Sequence, residues 1–261
     1  MARYPTLFVG HGSPMLALQN NALTETMASM GKLLIERHGE PKTILAISAH
    51  WLTQGTCTND TEHPTQIYDM YGFPPELYEV KYPVAGSPAL VEQLKARLGD
   101  KLLVNNAWGI DHGTWTVLKH MFPKANIPTV QLSLNVALWP QEHYRLGEQL
   151  AALREEGVLI LGSGNIVHNL RRIDYDDTNG APWAHEFLTA AHYAIMKRHD
   201  RTLQAYENLP KHELAIPTPD HYFPLLYVLG ASQGELPSVF NHQIVLGSLA
   251  MSSYVFGLDA S

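Results

Sequence analysis

TILAISAHW at residues 43–51 and TLFVGHGSP at 6–14 share one layout: a short apolar run, then small residues, then a histidine. The apolar residues do not alternate with polar ones. A strand with one wet face would alternate, so these runs read as strands covered on both faces, which is the habit of parallel sheets. TVQLS at 129–133 and VLIL at 158–161 repeat the pattern. Helical patterns lie between them: 24–37, stopping near Gly39; 88–98, with Ser87 as N-cap, Pro88 at the first position and Gly99 as the stop; a third from Pro140 to Gly157; and a fourth over 182–199. No repeat and no linker interrupts the order. The expectation is one α/β domain over 1–261, with a mostly parallel central sheet, helices on both faces and the active site at the carboxyl edge of the strands.

Two stretches resist this scheme. Residues 243–256 have strand composition with partial alternation and read as one or two edge strands. Residues 62–88 carry five prolines and four tyrosines without periodicity; aromatic rather than Ser/Lys/Glu-rich, they read as an ordered loop covering a pocket.

The 261 residues suffice for a core that buries about 70–75% of the unfolded surface. The single cysteine, Cys57, excludes a disulfide framework and fits a reducing compartment. Its surroundings, TQGTCTND, offer no base, so it is a poor nucleophile. No apolar run reaches the roughly 20 residues that cross a bilayer, and MARYPTLFVGHGSP reaches Gly10-His11 before a signal-peptide core can form. A cytoplasmic location is expected. Eighteen basic against 25 acidic residues give a net charge of −7 with no basic stripe, which argues against nucleic acid and anionic membrane as partners. No heptad seam appears, so a monomer is expected.

The excess is in histidine: 14 residues. Imidazole is the commonest metal ligand and titrates near neutrality, so histidines at strand ends carry the most weight. His11 and His50 follow the first two strands and are flanked by Gly or Ala. His168 follows the fourth in LGSGNIVHN, His221 opens a helix in TPDHYFPLL with Thr218 or Asp220 as its cap, and His112 in WGIDHGTW precedes a helix. If the strands are parallel, at least three of these meet at one edge. His38, His63, His120, His143, His185, His192, His199, His212 and His242 lack such settings and read as structural or solvated. Neither GxSxG nor a P-loop occurs.

Six segments in order, GHGSPM (10–15), SAHW (48–51), YGFPPELYEVKYPVAGSP (71–88), WGIDHGTW (108–115), SGNIVHN (163–169) and TPDHYFPLLYVLGA (218–231), resemble the 4,5-DOPA extradiol dioxygenases of the class III ring-cleavage superfamily. The resemblance implies a mononuclear non-haem Fe(II) enzyme that opens a catechol such as DOPA with O2, sometimes recovered with Zn(II) in the same site. It implies one metal per chain held by His11, His50 and His221, His168 as a further ligand or as acid/base, and His112 as the histidine that faces the substrate. The wider superfamily uses two histidines and a carboxylate, the facial pattern that leaves positions open. No carboxylate here occupies a matching strand-end motif, and Asp111 and Asp220 adjoin histidines, where sequence neighbours usually point apart; a histidine-only site is the expectation. A catechol must lose a proton to chelate metal, a task for His112 or His168. Trp51, Trp115 and Tyr222 are the candidates for the flat surface against the ring, with core packing as the competing reading. Two other functions share the ligand set: a zinc hydrolase, and a metal-binding protein without turnover.

Overall fold

The computed structural model describes residues 3–259. The chain runs β1 (Thr6–Gly10), α1 (Ala22–His38), β2 (Thr43–Thr53), β3 (Thr56–Thr58), α2 (Pro75–Glu79), α3 (Pro88–Leu98), β4 (Leu102–Val104), α4 (His112–Met121), β5 (Thr129–Asn135), α5 (Pro140–Leu150), β6 (Val158–Gly164), α6 (Pro182–Met196), α7 (Asp200–Gln204), α8 (His212–Ala215), α9 (Phe223–Ala231), β7 (Pro237–Phe240), β8 (Ile244–Val245), β9 (Leu249–Ala250) and β10 (Ser253–Phe256), with short 3-10 turns between.

Eight strands form one sheet in the order β4-β3-β5-β2-β6-β1-β10-β7. Its centre, β5-β2-β6-β1, is parallel, and the sequence pattern follows from what covers it. Along β1, Leu7 and Val9 enter one core and Phe8 the other; along β6, Leu159 and Leu161 enter the first and Ile160 the second. The first core is closed by α1 and α4 through Met27, Leu34, Trp115 and Leu118, the second by α3, α5, α6 and α9 through Leu94, Leu150, Phe187 and Leu226. With apolar cover on both sides, no strand position needs to be polar.

The carboxyl-terminal stretch departs from the expectation of edge strands. β10 is antiparallel between β1 and β7, and all four of its residues are buried, so it is an interior strand; β7 forms the edge, while β8 and β9 make a separate two-stranded ribbon. The third predicted helix ends at Leu150 and continues to Gly157 as a 3-10 turn, and the fourth ends at Met196. The 62–88 loop contains the short α2 and is tied down at several points. Ile67 N–H donates to Ile110 O at 2.8 Å, Trp115 Nε1 donates to Ile67 O at 2.9 Å, and Tyr82 donates to Phe122 O at 2.8 Å.

Two features aim the carboxyl edge. β1 and β6 end in register at Gly10 and Gly164, which places His11 beside Ser163. β2 runs on past its pairing with β6 and bulges against β5: Ile47 pairs with Leu132 but Leu52 with Leu134, so the strand bulges through Ser48 to Trp51 and re-aims His50. Arg154, without exposed surface, fastens the frame behind them. It donates to Tyr4 O at 2.7 Å, ahead of β1, and to Ala231 O at 2.9 Å, at the end of α9, and pairs with Glu235. Glu235 keeps Arg3 as a partner, but the carbonyls of Tyr4 and Ala231 would lose their buried donor, so Arg154→Ala is expected to cost about 2 kcal/mol or more in urea unfolding. A loss below about 1 kcal/mol would contradict that reading.

Candidate metal centre

Five histidines meet at this edge. The His11 and His50 rings lie 5.0 Å apart centre to centre; His221 lies 5.2 Å from His11 and 4.9 Å from His50; His112 lies 5.8 Å from His11 and 3.9 Å from His50. His168 stacks flat on His221 at 3.4 Å. Nitrogens of His11, His50 and His112 all fall within 4.8 Å of one another, and atoms of His168, Asp220 and His221 form a second such group.

Hydrogen bonds and neighbouring charges indicate which nitrogen of each ring carries the proton. Ser163 Oγ gives its proton to Gly113 O, so the His11 Nδ1 contact at 2.9 Å must be N–H donating to Ser163. His50 Nδ1 lies 3.2 Å and His112 Nδ1 2.9 Å from the same oxygen, Oδ2 of Asp69, and His221 Nδ1 meets Oδ2 of Asp220. A carboxylate only accepts, so Nδ1 of His221 is protonated, and the negative charge of Asp69 beside them favours the proton on Nδ1 of His50 and His112 as well. Each ring is left with a lone pair on Nε2. His11 Nε2 and His50 Nε2 face each other at 3.1 Å, and His221 Nε2 is buried without a partner. Two lone pairs at that distance repel unless a cation lies between them. Ligands bound tetrahedrally at 2.0–2.1 Å sit about 3.3 Å apart, so the spacing fits a metal.

A proton is the other cation that could bridge them, and the site disfavours it. Burial, reinforced by neighbouring imidazoles, holds His11 and His221 well below the usual histidine range. Burial chiefly, then His112, pushes His50 down to about 3 against the opposing pull of Asp69; burial likewise brings His168 to about 4. For Asp69, burial would raise the carboxyl, but the hydrogen bond and charge of His112 and then His50 outweigh it and hold it low. The residues present therefore offer neutral ligands with oriented, backed nitrogens, as metal sites do.

These shifts carry a stability consequence for the metal-free protein. The folded values of His50 and His168 lie below the unfolded value of about 6.5, so between them the unfolded chain binds more protons. Stability is complete above about pH 6.5 and falls as the pH drops, by about 1.4 kcal/mol per pH unit for each such ring, until the folded values are passed. Urea midpoints at pH 7.5, 6 and 5 check this; a flat profile would contradict it.

The surrounding elements explain the placement. Asp111 caps α4, accepting from Thr114 N–H at 3.3 Å, which makes His112 the first helical residue and turns it into the site. Asp111 is buried, accepts from Ser48 at 2.7 Å and from Gln131, and is raised to about 6 by burial and then by Asp69. Gly113 is required by closeness: a Cβ there would lie 2.8 Å from Ser48 Oγ and 2.9 Å from a His50 ring carbon. His221 precedes α9 through Tyr222, the helix N-cap, so the predicted cap at Thr218 or Asp220 is displaced. Asp220 instead holds the His221 ring, correcting the expectation that these neighbours point apart.

The aromatic candidates are corrected as well. Trp115 and Tyr222 have no exposed surface; their polar atoms are used by Ile67 O and Leu203 O, and both belong to the cores. Trp51 is 3% exposed and stacks on Trp108. Packing satisfies all three. Asp69 and Ser163 escaped the sequence reading: Asp69 lies in the aperiodic loop, and Ser163 is inside a strand.

An α/β sheet with converging histidines at its carboxyl edge is the architecture of a metal-dependent enzyme of the class III extradiol type, and comparison with known proteins identifies it. Residues 5–257 match the family described as the catalytic LigB subunit of aromatic ring-opening dioxygenase, and the chain belongs to that family. It is similar to the 4,5-DOPA dioxygenase extradiol of Escherichia coli K12, 42% identical over 98% of this chain and 95% of that protein, and to that of Beta vulgaris, 35% identical over 96% of each. A solved structure, of an uncharacterized protein from Escherichia coli K12, superposes with a TM-score of 0.85 at 38% identity, covering 98% of this chain and 100% of that one. The chain is thus an extradiol aromatic ring-opening dioxygenase, with an aromatic substrate and O2 as reactants. The zinc hydrolase and the non-catalytic binder give way to it. Among the described residues, no helix is long and apolar enough to cross a membrane.

Proposed function

We propose that the chain, one catalytic unit over 1–261, opens a catechol of the DOPA class at a single divalent metal, Fe(II) for turnover, held by His11, His50 and His221. The observation that carries this is the pair of Nε2 nitrogens of His11 and His50 facing at 3.1 Å, with Nδ1 of His11 bonded to Ser163 and Nδ1 of His50 beside the Asp69 carboxylate. His221 completes the set because its Nε2 is buried and unpartnered while Asp220 holds the other nitrogen. When bound, Fe(II) supplies the redox chemistry that lets a chelated catechol react with O2; zinc can fill the site but has no redox chemistry.

The protein's residues handle the protons and the surroundings. His112, with Nδ1–H directed at Asp69, presents Nε2 to take the proton that the catechol hydroxyl loses and to return it to the opened product. His168, lying flat on His221, borders the same space and has its charged form suppressed by burial, so it serves as a further ligand or a second proton carrier. The 42% identical relative named for DOPA supports the substrate class. The single cysteine supports the cytoplasm, and the lack of a heptad seam a monomer.

Anaerobic reconstitution with Fe(II) or Zn(II), followed by O2 uptake with a panel of catechols, tests the reading. Uptake and a yellow product are expected with Fe(II) alone. Equal catechol turnover by the zinc protein, after rigorous removal of iron, would overturn it.

A further inference from the structure

We propose that Asp69 is a positioning residue: its single oxygen Oδ2 lies against Nδ1 of both His50 and His112, so the negative charge of one carboxylate from the 62–88 loop favours the Nδ1–H tautomer of a ligand ring and of the proton-handling ring together. The inference rests on the reading of His112 as the proton carrier. It is carried by geometry. Oδ2 lies 3.2 Å from His50 Nδ1 and 2.9 Å from His112 Nδ1, and the other oxygen, Oδ1, accepts the backbone N–H of His112 at 3.0 Å. Asp69 thereby fixes the His112 backbone and ring at once, and its side chain is only 10% exposed.

No other group can replace it. Among the described residues, neither Nδ1 has another hydrogen-bond partner, whereas the rings of His11 and His221 are held by Ser163 and Asp220. A neutral imidazole free to choose puts its proton on either nitrogen. With the proton on Nε2, His50 offers no lone pair toward His11, and His112 offers a donor where the catechol hydroxyl needs an acceptor. The loop's role then differs from that of a cover. The bonds from Ile67 to Ile110 and from Trp115 to Ile67 hold the loop two residues before Asp69, so the anchoring of residues 65–67 locates the carboxylate.

Long-range proton–nitrogen NMR on the metal-free, histidine-labelled protein reads this directly, with rings assigned from single His→Gln variants. Wild-type protein is expected to show Nδ1–H on both His50 and His112. Asp69→Asn, nearly isosteric, has one oxygen for both duties: with that oxygen on the His112 backbone N–H, its NH2 faces both Nδ1 atoms, so at least one ring should switch to Nε2–H. In the Fe(II)-loaded enzyme the same variant should lower kcat by about 10²–10⁴-fold, the scale of a lost acid–base group, with KM changed less than about threefold. Its affinity for Zn(II) should fall by about 10–100-fold, as for other outer partners of ligands. An Nε2–H tautomer for either ring in the wild-type protein would overturn the proposal without any variant. So would Asp69→Asn retaining both tautomers and wild-type kcat. The spectra need neither metal nor catechol, so failure of the dioxygenase chemistry and failure of this inference are separate results.

Discussion

Replacing His50 with alanine should remove the metal and the activity together. His50 sits on the β2 bulge with Nε2 3.1 Å from that of His11, and Asp69 holds its other face. Changing a residue that merely backs a ligand costs about 10–100-fold in metal affinity, so deleting the ligand costs more. After dialysis at micromolar protein, His50→Ala and His11→Ala should each retain less than about a tenth of the wild-type metal, and O2 uptake with a catechol should fall with it. The fold should survive, because neither ring belongs to the two apolar cores. A His50→Ala protein that keeps one metal per chain would place the ion elsewhere in the cluster, with His168, Asp220 and His221 as the alternative group.

His112→Ala should behave in the opposite way, keeping the metal and losing turnover. His112 lies closer to His50 than any other ring does, 3.9 Å between centres, so proximity alone would make it a ligand. The assignment to proton transfer follows from the pairing of His11 and His50 with the unpartnered His221 nitrogen, which completes three ligands without it. Loss of a general acid–base group costs about 10²–10⁴ in rate. Metal content near wild type with kcat reduced on that scale is the expected result. Loss of metal would move His112 into the ligand set, and full activity would make it structural. His168→Ala distinguishes the two roles left for that residue in the same way.

The parallel centre of the sheet was legible because β1, β2, β5 and β6 must be apolar on both faces, and a run this short and this apolar suits a strand buried on both sides. β10 was harder. Ser253 and Tyr254 are buried polar-capable residues whose hydroxyls find partners at Met251 O and His192, and in sequence they look like the wet face of an edge strand. The histidines at the strand ends stood out for the same reason the strands did, since a strand's end fixes where the next residue goes. The carboxylates did not. Asp69 reaches the site through a loop whose path is set by bonds to Ile110 and Trp115, far along the chain, and no local spacing encodes that. The aromatics misled because Trp51, Trp115 and Tyr222 adjoin functional histidines or lie near them in sequence, while their side chains turn into packed interior.

A crystal of the protein loaded with zinc or iron, measured on both sides of the metal's absorption edge, locates the ion independently of any activity. One anomalous peak per chain is expected, about 2.0–2.2 Å from the Nε2 atoms of His11, His50 and His221, with Ser163, Asp69 and Asp220 beside the opposite nitrogens of those rings. A peak bound through His112 in place of His221, or seated on His168 and Asp220, would contradict it.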